Sequence, residues 1–133
     1  MVRAALVGML TAVLMVVALP GALAGNEEYG RTWARDKVLR SGCHEYRYQY
    51  KVKSPEHEWA LETFLLDPNK KKVGSGQKLF NADPRRGSDT FRLCRNATVP
   101  GRFKIRGKLT YDDGYQEYVV WIKPGFFRLR KAS

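Results

Sequence analysis

The side chains able to do chemistry in this chain are few, and their spacing says what that chemistry would be. There are two His and two Cys against 24 Lys and Arg. His44-Glu45 and His57-Glu58 are the His-acid neighbours on which general acid–base catalysis would draw. They flank the two ends of one expected strand, however, and residues adjacent along a strand point to opposite faces, so neither dipeptide is a preformed acid–base pair. Ser54 and Ser88 fall in expected turns with no nucleophile motif around them. Gly74-Ser75-Gly76 is not followed by a helix, as a phosphate loop would be, and reads as a kink in an edge strand. Asp112-Asp113-Gly114 lacks the spaced oxygen ligands of a calcium loop, and zinc would need two ligands beyond the cysteines. No metal or cofactor is therefore expected. Asn96-Ala97-Thr98 is a glycosylation sequon, relevant only in a host that uses it.

What the sequence concentrates is positive charge. Arg102, Lys104, Arg106 and Lys108 take every second position, with Phe103, Ile105, Gly107 and Leu109 alternating against them. In a strand this sets four cations on one face about 6.6–6.8 Å apart, comparable to the repeat of a phosphodiester or uronate chain. Arg47 and Lys51 lie on the polar face of a second strand and extend the row if that strand shares the sheet. The formal charge of +11 favours anionic partners through a long-range, salt-sensitive attraction: wall polymers, acidic glycans, nucleic acid or anionic lipid. The tyrosines of the second strand, Tyr46, Tyr48 and Tyr50, alternate onto its opposite face, so base-stacking aromatics are not expected beside these cations.

Alternation and turn signals define the elements that position these residues. Strands are expected at Cys43 to Lys53, Glu58 to Leu66, Lys72 to Phe80, Asp89 to Arg95, Arg102 to Thr110, Glu117 to Lys123 and Phe126 to Arg130. Between them lie Ser54-Pro55, Asp67-Pro68-Asn69-Lys70, Asp83-Pro84-Arg85-Arg86-Gly87, Pro100-Gly101 and Pro124-Gly125. Asp113-Gly114 is the signal of a two-residue type I′ hairpin. About seven strands and no helical run predict an all-β fold, an antiparallel sandwich. Residues 25–41, with Trp33 among four cations, carry no assignable pattern.

Arg3, the apolar run from Ala4 to Leu19 and Ala22-Leu23-Ala24 have the three parts of a secretory signal peptide, so residues 1–24 are expected to be removed and the product to be secreted. One domain follows, with residues 42–133 as its sandwich. Export exposes Cys43 and Cys94 to oxidising conditions, and one disulfide is expected between them, worth on the order of 2–4 kcal/mol in the chain-entropy account. By alternation both sulfurs point away from the core.

The run PGRFKIRGKLTYDDG resembles a late strand of exported bacterial immunoglobulin-like and fibronectin type III-like domains, where Pro-Gly opens an alternating strand that ends in an Asp-Gly turn. Residues 89–131 resemble the last three strands of such a domain. The resemblance implies a β-sandwich and no particular activity. It departs from true immunoglobulin domains at Arg92, where the corner Tyr would precede the second Cys, and at the spacing of Trp59 from Cys43. The function expected is a secreted, non-enzymatic binding or adhesion module for an anionic polymer. The alternatives are a small hydrolase such as a ribonuclease acting through His44 or His57, and a proteinaceous inhibitor presenting the Asp83 to Ser88 loop.

Overall fold

The computed structural model describes residues 25–133; the expected leader, residues 1–24, lies outside them. The strands are β1 (Asn26–Trp33), β2 (Lys37–Leu39), β3 (Cys43–Val52), β4 (Glu58–Leu66), β5 (Lys72–Leu79), β6 (Arg86–Cys94), β7 (Gly101–Asp112), β8 (Glu117–Lys123) and β9 (Gly125–Lys131), with a 3-10 turn at Arg95–Ala97. Among the described residues no helix is long and apolar enough to cross a membrane.

The strands form one continuous sheet in two halves that fold over a common core. In the first half β3 lies between β1 and β6, antiparallel to both. In the second, β7 pairs with β4 along one edge, and β4 with β5. The other edge of β7 is taken by β8 over Lys108–Asp112 and by β9 over Gly101–Ile105. Pro124 separates β8 from β9, having no N–H to offer the ladder. The alternation of β3, β4, β6 and β7 aims Tyr46, Tyr48, Tyr50, Leu61, Leu65, Phe91, Leu93, Phe103, Ile105 and Leu109 into the shared core, where all are buried.

Three polar links close the halves on each other. The buried Thr32 hydroxyl of β1 donates to the Ile105 carbonyl of β7 and accepts from the Gly125 N–H of β9, both at 2.9 Å. Across the core the hydroxyls of Tyr48 on β3 and Thr63 on β4 are hydrogen bonded at 2.9 Å. At the seam between β5 and β6, Lys78 Nζ meets Asp89 at 2.8 Å and Asp83 at 3.6 Å. Burial alone would lower the Lys78 ammonium, but its hydrogen bond to Asp89 and the charges of Asp89 and Asp83 outweigh that and hold it above its usual value.

β5 is an edge strand, as expected, but its glycines do more than kink it. Gly74 and Gly76 face inward opposite Leu65 and Thr63. A Cβ on Gly74 would lie 3.1 Å from the Phe91 ring, and one on Gly76 2.9 Å from Thr63 Oγ1 and 3.1 Å from the Tyr48 hydroxyl. The missing side chains make room for the stacked Tyr48–Phe91 pair, centroids 4.2 Å apart, which comes from the other half.

Several expectations are corrected. The sheet is mixed: β1 runs parallel to β8, and β2 parallel to β9. Turn signals report only antiparallel neighbours joined by short loops, so they could not reveal that the N-terminal segment lies alongside the C-terminal strands. That unassigned segment supplies the two strands beyond the seven expected. The hairpin is a four-residue loop, because Asp113 does not take the positive φ that a type I′ turn demands at both central residues, and only Gly114 does, at 93°. Its Asp113 carboxylate instead accepts the N–H groups of Tyr115 and Gln116. β6 begins at Arg86, which places Ser88 in a strand rather than a turn.

Candidate polyanion-binding site

The alternation of β7 turns Arg102, Lys104, Arg106 and Lys108 to the outer face of the second half, while Phe103, Ile105 and Leu109 are fully buried beneath them. What the row gains from its neighbours is decided by register. Phe64 of β4 lies opposite Arg106, Trp121 of β8 opposite Lys108, and Phe126 of β9 opposite Lys104. The Arg106 guanidinium carbon sits 4.0 Å from the Trp121 ring centroid. Arg102 and Lys104 lie 4.1 and 5.5 Å from that of Phe126, and Lys72 approaches Phe64 at 5.5 Å. The face is thus a grid of cations and aromatic rings. Phe126 is 46% exposed, so its ring is open to a ligand as well as to its cations.

Ring faces hold these cations in place by cation–π attraction without neutralising them. Among the described residues Lys78, Arg92 and Lys123 are the cations in ion pairs, and no member of the row is one of them. The charge is also polarised along the strand. Arg128 lies opposite Arg102 at one end, while Asp112, Asp113 and Glu117 crowd the hairpin at the other. Hydrogen bonds from the Tyr115 and Gln116 N–H groups hold the Asp113 carboxyl below its ordinary value, so the hairpin end stays anionic. Positive charge is thus concentrated toward Arg102, Lys72 and Arg128, and negative charge at the loop.

Arg47 and Lys51 do not belong to this row. They lie on the outer face of β3, whose ladder partners are β1 and β6, so they stand on the opposite side of the molecule. Alternation places a residue on a face of its strand, but only the pairing says which half the strand joins. The three aromatic rings around the row were not expected from the sequence. They come from β4, β8 and β9, and only the register brings them to β7.

The disulfide joins Cys43 and Cys94, directly opposed at the end of the β3–β6 ladder and outside the core. His44 is bonded through Nε2 to the Ser41 carbonyl at 2.6 Å, and His57 packs edge-on against Phe80. The expected Asp83 to Ser88 loop is shorter, since Arg86 to Ser88 belong to β6, and what remains is pinned: Tyr50 donates to the Pro84 carbonyl and Arg85 to the carbonyls of Ser54 and Glu56. Among the described residues no cluster of His, Cys, Asp and Glu could hold a metal ion. No family model matches the chain, and no curated protein matches it in sequence.

Proposed function

We propose that the protein is a secreted, non-enzymatic binding module that holds an anionic polymer across the outer face of β4, β7, β8 and β9. The observation that carries this reading is the grid itself: four cations at alternate positions of β7, interleaved with Phe64, Trp121 and Phe126, none of them in an ion pair among the described residues, with one carboxylate, Glu62, opposite Lys108. Aromatic rings beside a cationic track suit a polymer whose repeat has both a charge and a flat or apolar face. Single-stranded nucleic acid and acidic glycans meet that requirement. Export is supported by the leader-like residues 1–24 and fits the disulfide.

We read the scaffold as an immunoglobulin-like sandwich. Supporting this are the pairing orders β1-β3-β6 and β5-β4-β7-β8, which follow the A-B-E and C′-C-F-G arrangements of such domains. The disulfide differs, tying neighbouring strands at their ends instead of bridging the two layers.

Binding of a single-stranded oligonucleotide and of heparin across a salt series tests the reading. Each contact to a single strand should contribute roughly 0.7 to the log–log salt slope, so four contacts give a slope of about 3. Changing Arg102, Lys104, Arg106 and Lys108 to Gln should abolish most of that slope while the buried face of β7 keeps the fold. Phe126→Ala should weaken the oligonucleotide by about 1 kcal/mol or more through lost stacking and heparin, which has no bases, far less. A folded quadruple variant that binds both polymers as well as the parent does at about 0.15 M salt would overturn the proposal.

A further inference from the structure

The outer face of the first half carries a second concentration of charge with a different shape. Arg31 of β1 is directly opposite Lys51 of β3, and Lys51 is directly opposite Arg86 of β6. Three cations therefore stand side by side across three strands, about 4.8 Å between neighbours. On the next rung Trp33 is opposite Gln49, and one rung further Arg47 is opposite Thr90. Beyond Trp33 the chain leaves the sheet on its way to β2, which brings Arg35 and Lys37 up as a wall. The result is a cleft of about 540 Å³ in which Arg31, Arg35, Lys37, Arg47 and Arg86 surround Trp33.

This arrangement works against folding. Like charges directly opposite on a sheet destabilise it, and no carboxylate lines the cleft. Among the described residues none of the five cations is in an ion pair. Their side chains have one polar contact between them, Lys37 Nζ donating to the Arg47 carbonyl at 3.2 Å. The Arg31 and Arg86 guanidinium carbons lie 4.6 and 5.7 Å from the Trp33 ring centroid. Burial, then the charges of Arg47 and Arg35, hold the Lys37 ammonium below its usual value. Scattered surface charge would keep the protein soluble without such crowding.

We infer that this cleft is a second binding site, separate from the β7 row, for a compact oxyanion of two or more charges, a phosphoryl or sulfuryl group, carried on a small ring or chain that rests against Trp33. The guanidinium fork matches phosphate and sulfate oxygens two at a time. Several forks converging on one volume are satisfied by a polyvalent group, whereas a single carboxylate neutralises one of them. The volume lies within the range of small-molecule sites, roughly 300–1,000 Å³, and the half-buried indole supplies an apolar wall.

Calorimetric titration with pyrophosphate, glucose 6-phosphate, glucose and acetate at constant ionic strength tests the inference. Saturable one-to-one binding is expected for pyrophosphate and glucose 6-phosphate and none for glucose or acetate. Pyrophosphate alone binding would assign the site to a free polyanion, and tighter binding of the sugar phosphate to an ester-bearing ligand. Arg35→Gln with Arg47→Gln should weaken binding at least about tenfold, since a hydrogen bond to a charged group contributes roughly 1.5–3 kcal/mol. The charge-matched pair Lys70→Gln with Lys71→Gln, in the turn between β4 and β5 of the other half, should change it less than about twofold, because exposed charges at that range are screened. Should the Gln pair fail to fold, Arg35→Lys with Arg47→Lys carries the test, keeping the charge and removing the fork. Equal weakening by the two Gln pairs, unchanged affinity in the Lys pair, or no saturable binding of either phosphate would overturn the inference.

Discussion

The outer face of β4, β7, β8 and β9 and the outer face of β1, β3 and β6 are both cationic, but they hold their charge differently. On the first, cations alternate with rings, Arg102 and Lys104 against Phe126 and Arg106 against Trp121. The cations follow the length of one strand, so the polymer proposed above would run along β7. On the second, Arg31, Lys51 and Arg86 are mutual neighbours on one rung, and Arg35, Lys37 and Arg47 close around one indole. That surface is concave and suits one compact group. Similar residue types thus support diffuse attraction on one side and a defined cleft on the other. What separates them is that Phe64, Trp121 and Phe126 lie opposite Arg106, Lys108 and Lys104 on the first face, whereas Arg31, Lys51 and Arg86 lie opposite one another on the second.

Both faces depend on one set of links through the core, so a lesion there should disable them together. The largest expected effect is that of Thr32→Val. The substitution is close to isosteric, but it leaves the Ile105 carbonyl and the Gly125 N–H buried without their partner. At roughly 1–3 kcal/mol for each unsatisfied group, a loss of about 3 kcal/mol is expected in denaturant unfolding. The two proposed activities, polymer binding and phosphate binding, should disappear along one unfolding curve. Retention of one activity after loss of the other would mean that the halves are stable separately, and that the comparison is between two units instead of two faces.

Thr32 also shows why part of this molecule was not legible. β7 was, because its buried side carries Phe103, Ile105 and Leu109 and its exposed side four cations, a contrast that period-two alternation detects. In β1 the buried positions are Gly30 and Thr32, while the large ring, Trp33, faces outward. A buried hydroxyl and a buried glycine leave no apolar pattern to read. Thr32 is tolerated inside only because two backbone groups distant in sequence satisfy it. The cation row was legible for the same reason as β7. Phe64, Trp121 and Phe126 were each visible as strand residues, but their meeting around the row depends on registers that no single strand encodes. The grouping of Arg47 and Lys51 with the row failed on the same point.

A second lesion acts through alkaline pH and the opposite link. Burial pushes the Tyr48 phenol up to about 12, against the lowering effect of its bond with Thr63. Because the folded value exceeds the unfolded 10.0, the stabilisation is complete below pH 10 and is lost as pH rises through about 12. Lys78, also held above its usual value, adds a loss of the same sign. Stability should therefore be level up to about pH 9.5 and fall above it by an amount on the order of 2 kcal/mol. Tyr48→Phe should flatten most of that fall, at the cost of some stability at neutral pH from the unpartnered Thr63 hydroxyl. An equally steep decline in the Phe variant would place the alkaline transition elsewhere.

The smallest expected effect separates the two faces most cleanly. Glu45 is the one carboxylate on the outer positions of β3 and lies two residues from Arg47, with Arg92 of β6 3.8 Å away and both side chains more than half exposed. An exposed pair of this kind contributes little, so Glu45→Gln should alter stability by less than about 0.5 kcal/mol. Its charge does act on the cleft. At about 10 Å in water it repels a divalent anion by about 0.8 kcal/mol before screening. With a Debye length of about 8 Å at 0.15 M salt this falls to about 0.2 kcal/mol, and at 0.01 M, where the length is about 30 Å, it is about 0.6 kcal/mol. Pyrophosphate affinity should therefore rise about 1.5-fold at the higher salt and nearly threefold at the lower, since about 1.4 kcal/mol corresponds to a factor of ten. Binding of a polymer to the β7 row, on the far side of the molecule, should stay the same at 0.15 M. An equal gain on both faces would show that net charge alone governs binding, and the difference in shape between them would then have no functional meaning.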